Sequence, residues 1–353
     1  MHRKLRDFGP ARAASGVFFA LAFALVLAAC TGEQREPVRV EGPAQGTTYS
    51  VTVMNPPADL DEAGLKDAMG TVIARIDAQM STWRDDSEIV RFNAAPSGEW
   101  VSVSPELAEL SAQALAIGKE TGGAFDVTLG PILKVWGFGA DADAPSHLPT
   151  ADELAAAREK TGIGLIDVRQ DPPALRKRSP NVTLDLAGLA QGYTVDLMAA
   201  RLDSLGAKRY LVELGGELYA KGNKRGRSPW RIGIEKPKAG TREIERVVGL
   251  ANAGMTTSGD YRDYFELDGR RFSHTIDPRT GRPVAHDLRA VTVIAPDATT
   301  ADAMATALLV MGPEAGLRYA NEHQLAALFV SGEAPAYTES YSKAFEPYIE
   351  DSK

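Results

Sequence analysis

The amino-acid sequence predicts one α+β domain over residues 41–345, built of mixed and antiparallel sheets with packed helices. Two observations support this prediction. First, apolar residues recur at helical spacing in some segments and alternate with polar residues in others. Second, Asp268-Gly269 separates two strand-like segments, which is typical of a two-residue hairpin and of antiparallel pairing. Hairpins mixed with helices favour an α+β fold over a doubly wound parallel sheet.

The individual elements follow from local patterns. Ser104-Pro105 combines a capping serine with a proline at the first helical position, and Thr150 forms a capping box with Glu153. The predicted helices lie around Leu65–Met80, from Pro105, from Thr150 to a stop at Gly162, over Leu189–Leu205 with a stop at Gly206, and over Ala301–Val310 with a stop at Gly312-Pro313. The predicted strands are Thr47–Met54, Tyr210–Leu214, Trp230–Glu235, Val247–Ala251, Tyr264–Leu267, Arg271–Thr275 and Leu288–Ile294.

The first 40 residues indicate export and anchoring. Basic residues precede the apolar run Val17–Leu27, which is short for a membrane span and typical of a signal peptide. The run ends in Leu27-Ala28-Ala29-Cys30, which resembles a bacterial lipobox, so residues 1–29 are expected to be removed and Cys30 to be lipidated. Residues 30–40 then form a lipidated tether. The alternative is an ordinary buried cysteine beside an ordinary cleavage site.

Charge and cysteine content exclude several function classes. The net charge is −8, and it becomes −11 once residues 1–29 are removed with their four Lys/Arg and one Asp/Glu. An acidic body argues against nucleic acid and against attraction to anionic lipids, so membrane attachment would depend on the lipid. Cys30 is the only cysteine, which leaves no disulfide. The sequence contains no GxGxxG, P-loop, HExxH or CxxC motif.

Asp302 and Thr306 are candidate metal ligands. They lie four residues apart near the start of a predicted helix, so their oxygens share one face. A carboxylate and a hydroxyl suit Mg²⁺, which prefers oxygen ligands and a substrate phosphate. The alternative is that Asp302 only favours the helix N-terminus, with Thr299 as its cap. The turn before Gly188 can offer a carbonyl to a metal or N–H groups to a phosphate, or it only reverses the chain.

The segment Thr256–Val284 is polar and rich in Gly and Asp, which is typical of a binding loop. It carries His274 at the end of a predicted strand, where an imidazole can take a proton from a hydroxyl. The alternative is a surface histidine, and His286 is a rival base. Asp126 can accept a hydrogen bond from a ligand or form an Asx-turn. Gly215-Gly216 allows close backbone approach, or simply ends a strand.

Eight motifs in order make the sequence resemble the FAD:protein FMN transferases, the ApbE-like flavin transferases. They are Gly46-Thr47-Thr48-Tyr49; Met80-Ser81-Thr82-Trp83 with Phe92-Asn93; Gly123-Ala124-Phe125-Asp126 with Gly130-Pro131 and Trp136-Gly137-Phe138-Gly139; Asp185-Leu186-Ala187-Gly188 with Gly192-Tyr193; Gly215-Gly216 with Pro229-Trp230-Arg231; Thr257-Ser258-Gly259-Asp260-Tyr261-Arg262; Ser273-His274 with Ile276-Asp277-Pro278-Arg279-Thr280-Gly281; and Ala301-Asp302-Ala303 with Thr306.

The resemblance implies a specific activity. The family binds FAD and Mg²⁺, cleaves the pyrophosphate and attaches FMN by a phosphoester to a Thr or Ser of an acceptor protein, releasing AMP. The implied acceptors are flavoprotein subunits of membrane redox complexes on the periplasmic side of the cytoplasmic membrane. Two alternatives remain: an FAD pyrophosphatase using the same site, and a lipoprotein that only binds flavin.

The resemblance also implies roles for individual residues. Asp302, Thr306 and the carbonyl of Gly188 would hold Mg²⁺, and His274 would activate the acceptor hydroxyl. Gln45 and Gln191 depart from the family pattern, which commonly has Met at the first position and Lys or Glu at the second. The implied FAD-binding set is Gln45, Ser81, Thr82, Trp83, Asp126, Gln191, Gly215, Gly216, Ser258, Gly259, Arg262, His274, Ile276 and Asp277.

Overall fold

The structure is a computed structural model that describes residues 35–138, 147–237, 243–260, 264–267 and 270–350. The chain divides into two units, Met1–Glu36 and Pro37–Lys353, and the second carries all the elements described below. The signal peptide, Cys30 and Arg262 lie outside the described residues. The predictions for them therefore stay predictions.

Helices cover about a third of the described chain. None of those in the described ranges is long and apolar enough to span a membrane. The helices are α1 (Glu62–Met80), α2 (Glu88–Ala94), α3 (Pro105–Glu120), α4 (Gly130–Val135), α5 (Ala151–Arg158), α6 (Ala187–Ser204), α7 (Ala298–Met311) and α8 (Pro313–Glu322), with 3₁₀ turns at Ile163–Leu165 and Lys343–Tyr348.

The strands form one large sheet and four small ones. The described strands are β1 (Val38–Ala44), β2 (Thr47–Val53), β3 (Trp100–Ser102), β4 (Ile166–Gln170), β5 (Pro173–Lys177), β6 (Tyr210–Leu214), β7 (Glu217–Lys221), β8 (Trp230–Glu235), β9 (Ile244–Leu250), β10 (Ala253–Gly259), β11 (Tyr264–Leu267), β12 (Arg270–Ser273), β13 (Ile276–Asp277), β14 (Arg282–Pro283), β15 (Leu288–Ala295), β16 (Ala326–Glu333) and β17 (Ala336–Tyr341). The large sheet has the order β1-β2-β6-β7-β10-β15-β16-β17, and the small ones are β3-β5-β4, β8-β9, β11-β12 and β13-β14. The described pairings are antiparallel, which agrees with the predicted α+β class.

Local sequence signals place most elements correctly. The caps at Ser104 and Thr150 are confirmed, because each side chain accepts a backbone N–H of the first helical turn. One prediction and part of one alternative interpretation are wrong. Helix α5 ends at Arg158 and not at Gly162. The N-cap of α7 is Asp297, which accepts the Thr300 N–H at 2.7 Å, and Thr299 is not the cap.

The large sheet is covered on both faces, which buries its central strands. On one face α7 packs against β10 and β15, and α6 and α1 follow beside it. On the other face β8, β9 and the 3₁₀ turn at Lys343–Tyr348 cover the sheet through buried residues such as Trp230 and Phe345. Helix α7 is buried along nearly its whole length, so its sequence is apolar on all sides apart from a few hydroxyls and Asp302.

Helices α6 and α7 meet at Gly192, where their backbones approach very closely. A Cβ at Gly192 would lie 2.5 Å from the carbonyl oxygen of Ala298 and 3.0 Å from the Cβ of Asp302. The neighbouring Asp196 of α6 accepts hydrogen bonds from the backbone N–H groups of Ala298 and Thr299 at 2.8 and 2.9 Å. The first turn of α7 is therefore fixed directly against the middle of α6.

Gly192→Ala should destabilise the protein, because the added methyl group meets the backbone of α7, which cannot rotate away. We expect a loss of about 2 kcal/mol in the free energy of unfolding, as for other overpacked interiors. Urea denaturation followed by circular dichroism measures this loss.

The matched control is Gly70→Ala on α1, an exposed position where a Cβ meets no atom within 4 Å. This substitution should raise stability by about 0.5–1 kcal/mol, because alanine is the better helix former. Equal effects of the two variants would contradict the close crossing at Gly192.

Candidate active site

A cavity of about 340 Å³ opens beside the first turn of α6, the middle of α7 and the end of β10. The described residues that line it include no Lys or Arg. The lining residues are Ala124, Phe125, Asp126, Val127, Leu129, Gly130, Leu133, Asp185, Ala187, Gly188, Ser258, Gly259, His274, Thr275, Ile276, Thr306, Leu309 and Val310. Seven of the predicted site residues therefore share one cavity: Asp126, Gly188, Ser258, Gly259, His274, Ile276 and Thr306.

The predicted metal ligands come together at the crossing of α6 and α7. Gly188 lies in the first turn of α6 and lines the cavity, as does Thr306 of α7. The Thr306 hydroxyl lies 3.2 Å from the hydroxyl of Ser258 at the end of β10. Asp302, one turn before Thr306, is buried and accepts the Gly192 N–H at 3.1 Å. The sequence alone places Asp302 and Thr306 on one face of a helix. The tertiary structure brings Gly188 and Ser258 to the same cavity as Thr306.

The charge of Asp302 is poorly compensated. Burial raises the pKa of this carboxyl well above its usual range, and the negative charge of Glu217 raises it further. Glu217 is itself buried, and desolvation raises its pKa to about 7. Neither carboxylate forms a salt bridge with a described residue, and Glu217 Oε2 has no hydrogen-bond partner among them. Two buried carboxylates without a cationic side chain favour the binding of a cation.

This donor set fits a hard cation such as Mg²⁺. It offers a carboxylate, a hydroxyl and a backbone carbonyl, which are oxygen ligands only. Within the described ranges no group of three or more His, Cys, Asp or Glu residues could hold a metal by itself. A cation bound here would therefore need neutral oxygens of the protein and oxygens of a substrate or water in addition to Asp302.

His274 lies at the cavity wall, immediately after β12, as the sequence predicts. It is partly exposed, and its imidazole stands edge-on to the ring of Phe138, with 6.4 Å between the ring centroids and 73° between the planes. Phe138 in turn contacts Phe265 of β11, which stacks on Phe272 of β12. An aromatic cluster therefore contacts His274, which also lines the cavity.

Asp126 forms the Asx-turn that the sequence offered as one of its two roles, and the other role, a hydrogen bond to a ligand, stays a prediction. Its Oδ1 accepts the Thr128 N–H at 2.7 Å, which is an Asx-turn, and also the Thr128 hydroxyl at 2.5 Å. The residue still lines the cavity, and burial raises the pKa of its carboxyl although the Thr128 donors lower it. The turn holds the carboxylate in place while part of it faces the cavity.

A second group of predicted residues lies around the Gly215-Gly216 turn between β6 and β7, outside the cavity lining. Both glycines have positive φ, at 70° and 119°. The space where a Cβ of Gly215 would lie is bounded by Gln191 Nε2 at 3.0 Å and Glu217 Oε2 at 2.9 Å. Gln45, in the β1–β2 turn, donates to Thr194 at 3.0 Å, one turn after Gln191 on α6. Helix α6 connects this group to the cavity.

Four other predicted residues do not line the cavity. Ser81, Thr82 and Trp83 follow the end of α1, where the Ser81 hydroxyl accepts the Trp83 N–H at 3.3 Å, and the Trp83 side chain is 76% exposed. Asp277 pairs with Arg279 at 2.8 Å within the β13–β14 turn. The rival base His286 packs against Gly312 after α7 and is also outside the lining.

Sequence reasoning missed Glu217 and the apolar wall of the cavity. Leu129, Leu133, Leu309 and Val310 look like ordinary core residues in the sequence, because only the tertiary structure brings α4 and α7 to one opening. Glu217 had a usable signal: it follows Gly215-Gly216 directly and begins a strand whose other residues are mostly apolar. A carboxylate at a buried strand position requires a partner or a cation.

Comparison with known proteins identifies the family. The model of the ApbE family matches residues 45–329, more than three quarters of the sequence. The chain belongs to the ApbE family. This confirms the resemblance read from the eight motifs, and with it the expectation of an enzyme. The match begins at Gln45, one of the two positions that depart from the common pattern.

Two curated relatives and one solved structure agree with this assignment. The FAD:protein FMN transferases of Vibrio cholerae and Haemophilus influenzae are 39% and 38% identical to this chain, over 94% and 95% of its length and 98% of theirs. The apo crystal structure of the flavinyl transferase ApbE of Pseudomonas stutzeri superposes with a TM-score of 0.81 at 40% identity, covering 90% of this chain and 98% of that chain. The chain therefore shares the α+β fold of the Pseudomonas stutzeri ApbE structure.

Asp196→Ala should lower both stability and the order of the site, because Asp196 satisfies two backbone donors and the Thr299 hydroxyl at the start of α7. We expect a loss of about 2 kcal/mol in the free energy of unfolding, the upper range for a cap. Chemical denaturation measures it.

The control is Asp61→Ala, which removes the exposed cap of α1 at the Gly64 N–H. It should cost about 1 kcal/mol or less. An Asp196 variant as stable as the wild type would show that α7 does not depend on the hydrogen bonds that Asp196 accepts.

Proposed function

We propose that this chain is a Mg²⁺-dependent FAD:protein FMN transferase, which joins FMN to a Thr or Ser of an acceptor flavoprotein and releases AMP. The observation that supports this most directly is the shared cavity: His274 stands at its wall, while Thr306 and Gly188 lie at the crossing of α6 and α7 beside buried Asp302. The proposed base and two of the proposed ligands, Thr306 and Gly188, thus line one cavity of about 340 Å³.

His274 is proposed as the general base. In the proposed step, the acceptor hydroxyl oxygen attacks the phosphorus of the FMN half of FAD. A new O–P bond forms and the P–O bond to the AMP half breaks, while the hydroxyl proton passes to the imidazole. A threonine hydroxyl is a weak nucleophile without such a base. The contact with Phe138 would hold the imidazole in one orientation for this transfer.

Asp302, Thr306 and the carbonyl of Gly188 are the residues that would hold the cation. When bound, Mg²⁺ would offset the negative charge of the pyrophosphate and of the departing phosphate. This is needed because the described cavity lining offers no Lys or Arg to the phosphates and the mature chain is acidic.

The FAD contacts are proposed in two groups. Asp126, Ser258, Gly259 and Ile276 line the cavity and would contact the substrate there. Trp83 presents an exposed indole, which suits stacking on a flat ring system. The remaining proposed contacts are Ser81 and Thr82 beside Trp83, Gln45 and Gln191 near the Gly215-Gly216 turn, and Arg262 and Asp277 in the polar segment.

The acceptor and the location are proposals that come from the sequence. The acceptors would be flavoprotein subunits of membrane redox complexes, and the enzyme would be anchored by a lipid on Cys30 at the periplasmic face of the cytoplasmic membrane. Such an anchor would keep an acidic enzyme near acceptors that lie in the same membrane.

A transfer assay tests the activity and the base together. A form lacking residues 1–30 is mixed with FAD, Mg²⁺ and a candidate acceptor, and a denaturing gel is read for flavin fluorescence. The acceptor band should fluoresce, and EDTA should abolish it. His274→Ala should slow labelling about 100-fold or more, the usual contribution of a general base. His323→Ala, at an exposed histidine stacked on Tyr319, should label at the wild-type rate.

The same assay separates the alternatives. Free FMN and AMP without a labelled band would favour the pyrophosphatase, with water in place of the hydroxyl. Bound but intact FAD would favour a flavin-binding lipoprotein. A His274→Ala enzyme with full activity would rule out the proposed base and direct attention to His286.

The anchor is tested separately with the full-length gene. Mass spectrometry of the membrane fraction should find the mature chain beginning at a lipid-modified Cys30. Cys30→Ala should abolish the lipid and leave an uncleaved precursor. Wild-type protein that begins at another residue, or that carries an unmodified Cys30, would contradict the lipoprotein proposal.

A further inference from the structure

Glu217 is a buried carboxylate that no step of the proposed reaction uses. It begins β7 directly after Gly215-Gly216 and is 7% exposed. Its Oε2 has no hydrogen-bond partner among the described residues, and it forms no salt bridge with them. An unpaired charge in such a place costs several kcal/mol in general, so a buried carboxyl is either protonated or has its charge compensated by a partner or a cation.

Glu217 and Asp302 both lie beside one turn of α6. Gly192 donates its N–H to Asp302 Oδ2 at 3.1 Å. Glu217 Oε2 and Gln191 Nε2 lie 2.9 and 3.0 Å from the point where a Cβ of Gly215 would lie. Gln191 and Gly192 are adjacent in the chain, and the negative charge of Glu217 raises the pKa of the Asp302 carboxyl, so the two carboxylates are close enough to interact.

The charges of the candidate cation site support a role for the second carboxylate. Thr306 and the Gly188 carbonyl are neutral ligands, so in the absence of FAD Asp302 alone would leave a divalent cation with one uncompensated positive charge inside the protein. Adding Glu217 balances it. The described cavity lining itself contains two carboxylates, and both already accept hydrogen bonds. Asp126 accepts from Thr128, and Asp185 accepts from the Ala187 N–H.

We propose that Glu217 is part of the divalent-cation site, where its carboxylate supplies the second negative charge for the cation held by Asp302. This inference rests on the proposed function, because it takes the cation site at Asp302 as given. Glu217 acts here as a positioning and charge-balancing residue. It also favours a divalent over a monovalent cation, since two buried negative charges match two positive ones.

The test measures Mg²⁺ binding to the purified full-length chain in detergent by isothermal titration calorimetry, without FAD. The pH is kept mildly alkaline, above the value of about 7 to which burial raises the pKa of Glu217. Glu217→Gln should weaken Mg²⁺ binding about 10- to 100-fold, the usual effect of losing an outer partner of a metal site. Glu217→Asp keeps the charge and should retain most of the affinity. Glu213→Gln, a partly buried neighbour on β6 that accepts from Ser50, should bind like the wild type.

Thermal melting gives a second readout that does not depend on activity. In EDTA, Glu217→Gln should melt at a higher temperature than the wild type, because an uncompensated buried charge is gone. Addition of Mg²⁺ should raise its melting temperature less than that of the wild type. A Glu217→Gln protein that is less stable than the wild type in EDTA, or unfolded, would overturn the inference.

Asp302→Asn distinguishes the two proposals. If Asp302→Asn loses Mg²⁺ binding while Glu217→Gln binds like the wild type, the role of Glu217 is wrong and the proposed cation site stands. If neither substitution changes binding, the cation does not bind at Asp302, and both proposals fail.

Discussion

Helices α6 and α7 approach so closely at Gly192 that the carbonyl of Ala298 occupies the space a Cβ would need. Two features hold this approach in place: the Asp196 carboxylate accepts the first N–H groups of α7, and the Gly192 N–H binds Asp302. The consequence extends beyond packing. Gly188 lies one turn before Gly192, and Thr306 lies one turn after Asp302, so the crossing brings Gly188 and Thr306 to one cavity with Asp302 buried beside them.

The same crossing creates an electrostatic cost. Asp302 and Glu217 are drawn into a region with no described Lys or Arg partner, and burial raises the pKa of both carboxyls. A fold optimised only for stability would place apolar residues at both positions, since buried charges seldom stabilise a protein. Unfavourable burial of this kind is typical of functional sites, where strained or desolvated groups are kept for binding or catalysis. In this ApbE-family chain, the buried carboxylates Asp302 and Glu217, which lower stability, lie at the proposed cation site.

Much of the fold could be predicted from the sequence because its signals are local. Ser104, Thr150 and the alternation in Tyr210–Leu214 act within a few residues of themselves, and the structure confirms each. The cap of α7 could not be predicted fully, because Asp196 reaches it from a helix about a hundred residues earlier. Thr299 resembles a cap in the sequence, but its hydroxyl donates to Asp196 while Asp297 caps the helix.

The candidate site divides in the same way. The i, i+4 pair Asp302 and Thr306 was visible as a pattern, and the family resemblance pointed to His274. Glu217 could not be recognised in the sequence, because its significance depends on its burial and on the absence of a described hydrogen-bond partner for Oε2. Only the tertiary structure reveals both. A side chain in a recognisable spacing pattern can be found in the sequence. A side chain whose role depends on its burial and its electrostatic surroundings can be found only in the structure.

His274 and Asp302 occupy contrasting environments, and this contrast bears on whether transfer or hydrolysis dominates. Asp302 is almost fully buried, whereas His274 is partly exposed at the cavity wall and supported on one side by Phe138. A base at an open wall can take a proton from water as easily as from a hydroxyl. If His274 is the base, as proposed, selectivity for the acceptor would come from the acceptor covering the opening and displacing water. The cavity would thus set where the phosphate lies, and the protein docked over His274 would decide which oxygen attacks it.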